Sequence, residues 1–182
     1  MIRHAIKIAS IALIAPLTGI TLLSSTPALA ASEGTPFSTF KVKATATKQV
    51  QPGGKIVYKV VGTNAGPYNL GARHYNVVFQ LPKGLDAFKV KSFGPKEEDA
   101  CAPEKGFVYC TVNKPIPVGS SISYRFEVKA GSEAKGTLKA ILGVMSFDVP
   151  TGMQDMNEKE AERIGGIPTW GFGDTVTTKV VR

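Results

Sequence analysis

Beyond residue 38 the chain carries its hydrophobic side chains at alternate positions rather than at every third or fourth. Phe40, Val42, Ala44 and Ala46 alternate with Lys41, Lys43, Thr45 and Thr47. Ile56, Tyr58 and Val60 share one face of the next segment, and Tyr75, Val77, Phe79 and Leu81 alternate with Asn76, Val78 and Gln80. The clearest case sets Ile122, Tyr124, Phe126 and Val128 against Ser121, Ser123, Arg125, Glu127 and Lys129. Successive side chains on a strand point to opposite faces, so this pattern predicts strands with one buried face.

Turn residues punctuate these runs: Gln51-Pro-Gly-Gly54, Asn64-Ala-Gly-Pro67, Leu81-Pro-Lys-Gly84, Gly94-Pro95 and Pro117-Val-Gly119. Each supplies a fixed φ or a residue tolerant of positive φ. The predicted strands are 39–47, 55–64, 73–81, 85–93, 106–112, 120–130, 136–148 and 173–181. Seven or eight short strands so spaced predict an all-β, immunoglobulin-like antiparallel β-sandwich, with an up-and-down barrel as the competing closure. Residues 149–172 break the rhythm as one long loop insert. Pro150-Thr-Gly152 opens it, Asn157 is placed to cap a short helix through Arg163, and Gly165-Gly166 would end that helix. Connections of this length are uncommon unless they serve a function or lack order.

The first thirty residues have a different character. Arg3, His4 and Lys7 precede an apolar run from Ile8 to Leu23, and Ala28-Leu29-Ala30 ends the stretch with small side chains. This layout predicts a secretory signal peptide, 1–30, cleaved between Ala30 and Ala31. Residues 31–38 then form an N-terminal extension, and 39–182 the sandwich domain. No Arg-Arg pair marks the twin-arginine route and no Cys follows the cut to carry a lipid. Thr177–Arg182 shows neither a hydrophobic anchor nor a wall-sorting tail. The expected product is secreted, either free outside the cell or held loosely to the envelope, and not membrane-spanning once processed.

Processing leaves 152 residues, one domain by length, with twenty basic against fourteen acidic side chains and a net charge of +6. A chain of that size buries about two-thirds of its unfolded surface. The positive excess suits attraction to anionic surfaces such as phosphate-rich polymers or acidic lipids. It is too dispersed for a specific nucleic-acid binder. Cys101 and Cys110, an even count in an exported chain, predict a disulfide. Closing so short a loop stabilises the fold by about 2.5–3 kcal/mol in the chain-entropy view.

Several of these motifs occur together in a known order. Val50-Gln-Pro-Gly-Gly-Lys-Ile-Val-Tyr58, Thr63-Asn-Ala-Gly-Pro67 and Leu81-Pro-Lys-Gly-Leu85 come first. Cys101 with Val108-Tyr-Cys110, and Pro117-Val-Gly-Ser-Ser-Ile-Ser-Tyr124, follow them. The series, spanning roughly residues 40–148, resembles the immunoglobulin-like bacterial surface repeats catalogued as domain of unknown function eleven. The resemblance implies architectural turns and a role in stalks or adhesive arrays on cell surfaces. This chain departs from it in having a single copy and no wall anchor. The long insert replaces the short approach to the last strand, with Gly173-Asp174 as a remnant.

Candidate chemistry is sparse. His74, the one histidine beyond the leader, falls on the strand face with Asn76 and Gln80, and no Gly-x-Ser-x-Gly elbow accompanies it. The acidic clusters Glu97-Glu-Asp99 and Asp155, Glu158, Glu160 and Glu162 read as solvated charge rather than a glycosidase pair or a calcium loop. Met145, Met153 and Met156 bear Cu(I)-type thioethers, but packing on the sheet is the simpler expectation. Trp170 and Phe172, between glycines, read as an exposed anchor or as a plug closing one end of the sandwich. The expectation is a non-enzyme with no cofactor and no metal. It would contact a protein or cell-envelope polymer through the insert, with Trp170, Phe172, Met153 and Met156 as candidate binding residues. The alternative is a structural subunit that assembles by strand addition at a sheet edge, β-strand 39–47 or 173–181. A small secreted hydrolase or metal carrier is a third reading.

Overall fold

The computed structural model describes residues 35–95, 100–149, 163 and 166–182. Among them ten strands form: β1 (Ser38–Ala46), β2 (Gln49–Val50), β3 (Lys55–Pro67), β4 (Tyr75–Gln80), β5 (Lys91–Phe93), β6 (Ala100–Glu104), β7 (Phe107–Thr111), β8 (Ser121–Lys129), β9 (Thr137–Phe147) and β10 (Thr169–Val180). They make a four-stranded sheet, ordered β1-β3-β8-β5, and a six-stranded sheet, ordered β2-β10-β9-β4-β7-β6. The first order is that of the A-B-E-D sheet of immunoglobulin domains, and β4, β9 and β10 take the places of C, F and G. The expected immunoglobulin-like sandwich is the fold, and the two sheets do not close into a barrel.

The alternating positions make the core. Tyr58 from β3, Phe79 from β4 and Phe126 from β8 are fully buried, with ring centroids 4.8 and 5.0 Å from Phe79. Ile56, Val60, Ile122, Tyr124, Val77, Leu142 and Val144 fill the layer around them. Each such side chain contributes about 1.5–3 kcal/mol by leaving water. Gly143 on β9 faces Gly173 on β10, and a Cβ there would run into the Phe172 carbonyl. Only glycine lets these two strands approach as they do.

Four features differ from the sequence expectation. Segment 85–93 is a 3-10 turn (Ala87–Lys89) followed by the short β5, because Asp86 turns its carboxylate onto the Phe88 N–H (3.0 Å) and caps the turn. Strand β6 was not anticipated, since Ala100–Glu104 lacks alternation and contains Pro103. An edge strand tolerates proline, and the Cys101–Cys110 disulfide holds β6 to β7. The two-residue β2 pairs in parallel with β10, so the sandwich is not purely antiparallel. Strand β10 begins at Thr169 rather than 173, so Trp170 and Phe172 are strand residues and not part of a glycine-rich loop.

The two strands expected to offer edges turn towards each other. β1 is an edge of its sheet, but the Ala44 N–H donates to the Asp174 carboxylate of β10 (2.8 Å). Phe40 and Phe172 pack across the same seam at 5.8 Å. The other outer edges among the described residues are β2, β5 and β6, two, three and five residues long, the short kind that discourages pairing between molecules.

Candidate binding surface

The strands run between two ends of the sandwich. At one of them a buried side chain, Asn64, gathers three separate segments. Its Oδ1 accepts from the Gly66 N–H (2.9 Å) and lies 2.9 Å from Ser38 Oγ. Its Nδ2 donates to the carbonyls of Tyr68 and Ile116, both at 2.9 Å. Asn64 therefore uses all of its side-chain hydrogen-bonding capacity within the protein. Ser38 Oγ is also 2.6 Å from the Tyr68 carbonyl, so one hydroxyl proton serves two acceptors, and it accepts from the Tyr68 N–H (3.2 Å). Bonds between Leu70 and Ile116, and from the Val118 N–H to Asn69 Oδ1 (2.8 Å), zip the two turns together. Gly66 sits at φ 88°, a left-handed conformation that glycine adopts without strain.

This frame presents apolar side chains to solvent. Phe37 is 47% exposed, Tyr68 62% and Val118 46%. The two rings meet edge to face with centroids 6.3 Å apart, over a shallow hollow floored by Pro36 and Pro67. Exposed apolar groups clustered on ordered loops are the kind of surface that marks an interaction site. The expected site residues did not include Phe37, Tyr68 or Val118. The signal available was a large apolar residue beside each turn proline, in Pro36-Phe37, Pro67-Tyr68 and Pro117-Val118.

Trp170 belongs to the same end. The buried Asp148 carboxylate accepts from Trp170 Nε1 (2.6 Å) and from the Phe37 N–H (3.1 Å), while the Asp148 N–H donates to the Pro168 carbonyl (2.9 Å). The expected insert therefore leaves β9 and rejoins β10 at this end. Trp170 and Phe172 are half-buried. Phe172 packs on the core beside Phe40. Met153, Met156, the signal peptide with its Ala30–Ala31 junction, and both acidic clusters lie outside the described residues. So does the expected helix from Asn157, apart from Arg163.

His74 is half-buried, its ring against Gly71, and its carbonyl accepts from the Phe147 N–H (2.9 Å). Met145 is half-buried on β9. Among the described residues no three metal-ligating side chains converge, and no helix is long and apolar enough to cross a membrane. Burial raises the Tyr58 phenol above its ordinary range, with the Thr178 hydroxyl acting the other way; neither hydroxyl makes a hydrogen bond of good geometry. Tyr109 is raised by burial and by the Glu104 charge.

No family model matches the chain, and no curated protein does. Domains D2 and D3 of the major pilin SpaD from Corynebacterium diphtheriae align over 75% of this chain and 51% of that one, with 16% identity and a TM-score of 0.49. This chain thus spans about half of the pilin fragment. AvmM, which catalyses macrocyclization in alchivemycin A biosynthesis, aligns over 78% of this chain and 90% of its own, with 14% identity and a TM-score of 0.44. ACE19, the collagen-binding subdomain of Enterococcus faecalis surface protein ACE, aligns over 81% and 99%, with 6% identity and a TM-score of 0.40. At these values neither the surface proteins nor the catalyst decides what this chain does. What the chain shares with the surface repeats is the immunoglobulin-like fold.

Proposed function

We propose that the protein is an exported, non-catalytic immunoglobulin-like module that contacts a protein or cell-envelope polymer through the Trp170 end of the sandwich. The observation that carries this reading is the exposed Phe37–Tyr68 ring pair, mounted on loops whose buried polar groups converge on Asn64. Rigid aromatic groups lose little conformational entropy on binding and supply much of an interface's energy. The Cys101–Cys110 disulfide suits the oxidising compartment that an exported chain would meet. Trp170, tied to Asp148 and thence to Phe37, would stiffen the platform from below rather than act as a free anchor.

The test uses protein expressed from the full-length sequence and immobilised against envelope fractions of the producing cell. The double change Phe37→Ala with Tyr68→Ala is expected to weaken capture by tenfold or more, on the order of a lost aromatic hot spot, while the unfolding midpoint stays put. Undiminished capture by a folded double variant would remove this surface from consideration.

A further inference from the structure

The opposite end of the sandwich carries a second surface. Two hollows of about 420 and 470 Å³ adjoin there, with Gly84, Leu85 and Gly131 common to both. Where a side chain would stand on Gly84 or Gly131 there is no atom within 4 Å, so the backbone saddle between the hollows is open. The two adjoining hollows make one open channel at that end of the molecule.

The channel is cationic. Lys55, Lys89, Lys91 and Lys129 line the first hollow, and Lys83 and Lys135 the second, against Asp86, Glu127 and Glu133. Two of those carboxylates are already engaged. Glu127 is held by Lys55 at 3.5 Å and by Arg125 at 3.4 Å, and Asp86 by Lys89 at 3.7 Å and by the Phe88 N–H. Lys83, Lys91, Lys129 and Lys135 make no ion pair with a described residue. Lys55 and Lys129 stand directly opposite each other in the β3–β8 register; Glu127 offsets Lys55, and Lys129 makes no ion pair with a described residue. A concave site lined by one sign of charge concentrates its counter-ion.

We infer that this channel binds a linear polyanion, a polymer with phosphate or carboxylate groups along its length, laid across both hollows. Ammonium groups act as point charges and take either anion without a fixed fork geometry. Phe88, 73% exposed and set in sequence between the lining residues Asp86 and Lys89, is the one large exposed apolar side chain on this turn. A bilayer is the weaker fit, because one exposed ring gives little apolar hold and the lysines line a channel rather than a convex tip. The site lies at the far end from the Phe37–Tyr68 surface and stands whether or not that surface binds a partner.

The experiment titrates protein expressed from the full-length sequence with long-chain polyphosphate and with polygalacturonate. Neutral dextran and phosphatidylglycerol vesicles serve as comparisons. At least one polyanion is expected to bind, with affinity falling as salt rises, and dextran is not. Lys89→Glu with Lys129→Glu should weaken that binding by about tenfold or more, and Phe37→Ala with Tyr68→Ala should leave it unchanged. Absence of binding to both polyanions would overturn the inference, as would equal binding by the charge-reversed protein, or binding to the vesicles alone. If the charge-reversed protein does not fold, acetylation of the unaltered protein answers the question. Bound polyanion should slow acetylation of Lys89, Lys129 and Lys135 relative to Lys41 and Lys43 on β1, and uniform protection would count as non-specific and against the site.

Discussion

The two ends of the sandwich use the same strands, yet their loops are held in different ways. At the Asn64 end, segments 26 and 52 residues apart in sequence are tied by side chain to backbone: Ser38 to Asn64, and Asn64 to Ile116. At the lysine end the loops are held chiefly by backbone bonds, within a loop as in Gly54 N–H to Gln51, Leu85 N–H to Pro82 and Ala134 N–H to Gly131, and between loops as in Gly53 N–H to Gly131 and Ala130 N–H to Gly54. These turns use Asp86 as a capping side chain but no lysine beyond Lys55 and Lys89, which leaves Lys83, Lys91, Lys129 and Lys135 to present charge. A long-range hub does the reverse: it fixes the platform but makes the fold depend on a few polar groups. Changes to the polar hub at the first end should therefore cost stability, whereas changes to the lysines at the second should cost binding alone.

The largest effect is expected at Asn64. Asn64→Ala leaves the buried Gly66 N–H without its acceptor and takes one of two donors from each of the Tyr68 and Ile116 carbonyls, which keep Ser38 Oγ and the Leu70 N–H. One unmet buried group costs about 1–3 kcal/mol and each further bond lost about 0.5–1.5 kcal/mol, so a loss of about 3 kcal/mol is expected. Urea unfolding measures it directly. A loss below about 1 kcal/mol would mean that water replaces the hub, and the contrast between the ends would fail.

Asp148 comes next. Asp148→Ala releases the Phe37 N–H and Trp170 Nε1, and about 2 kcal/mol is expected for the loss of two bonds to a carboxylate. Trp170 is the sole tryptophan, so its emission reports the event. A red shift is expected as the indole gains water. An unchanged spectrum with full stability would show that the carboxylate does not hold this corner.

The sequence made the strands legible and the ends much less so. Alternation at Ile122–Val128 and Tyr75–Leu81 states which face is buried, because the period of a strand is a local property. The disulfide followed from parity alone. Thr63-Asn-Ala-Gly-Pro67 was readable as a turn, but Asn64 as a hub was not, since its partners come from β1 and from the turn before β8. Trp170 looked like a loop residue because Gly171 and Gly173 break the alternation, whereas Gly173 stands opposite Gly143 where β10 approaches β9 closely. The lysine channel was invisible for a related reason. Lys55, Lys83, Lys89, Lys129 and Lys135 come from separate segments, and each alone reads as the solvated side of a strand or turn.

Between the ends, Tyr58 gives a smaller and pH-dependent effect. Its hydroxyl is buried without a good partner, so Tyr58→Phe should be neutral or stabilise by up to about 1 kcal/mol near pH 7. Burial raises its folded pKa above the unfolded value of 10.0, so its contribution is complete below pH 10 and is lost as pH rises towards the folded pKa. Unfolding midpoints taken across that alkaline range should fall more steeply for the natural protein than for Tyr58→Phe. Part of the slope should persist through Tyr109, which is shifted in the same direction. Equal slopes would show that Tyr58 ionises as readily folded as unfolded.

The smallest expected change sharpens the comparison most. Lys129 is exposed and faces Lys55 across the β3–β8 ladder, so Lys129→Glu replaces a like-charge pair with an opposite one. Exposed pairs are worth only about 0.2–1 kcal/mol, and the midpoint should stay within about 0.5 kcal/mol of the natural protein or rise slightly. The same change should reduce polyanion binding, because it removes one cation and adds an anion inside the channel. Stability kept while binding falls is what a surface built on local turns requires. A loss of about 1 kcal/mol or more at Lys129 would instead show that the lysine braces the sheet. The lysine end would then be structural in the same sense as the Asn64 end, and the division of labour between the two would dissolve.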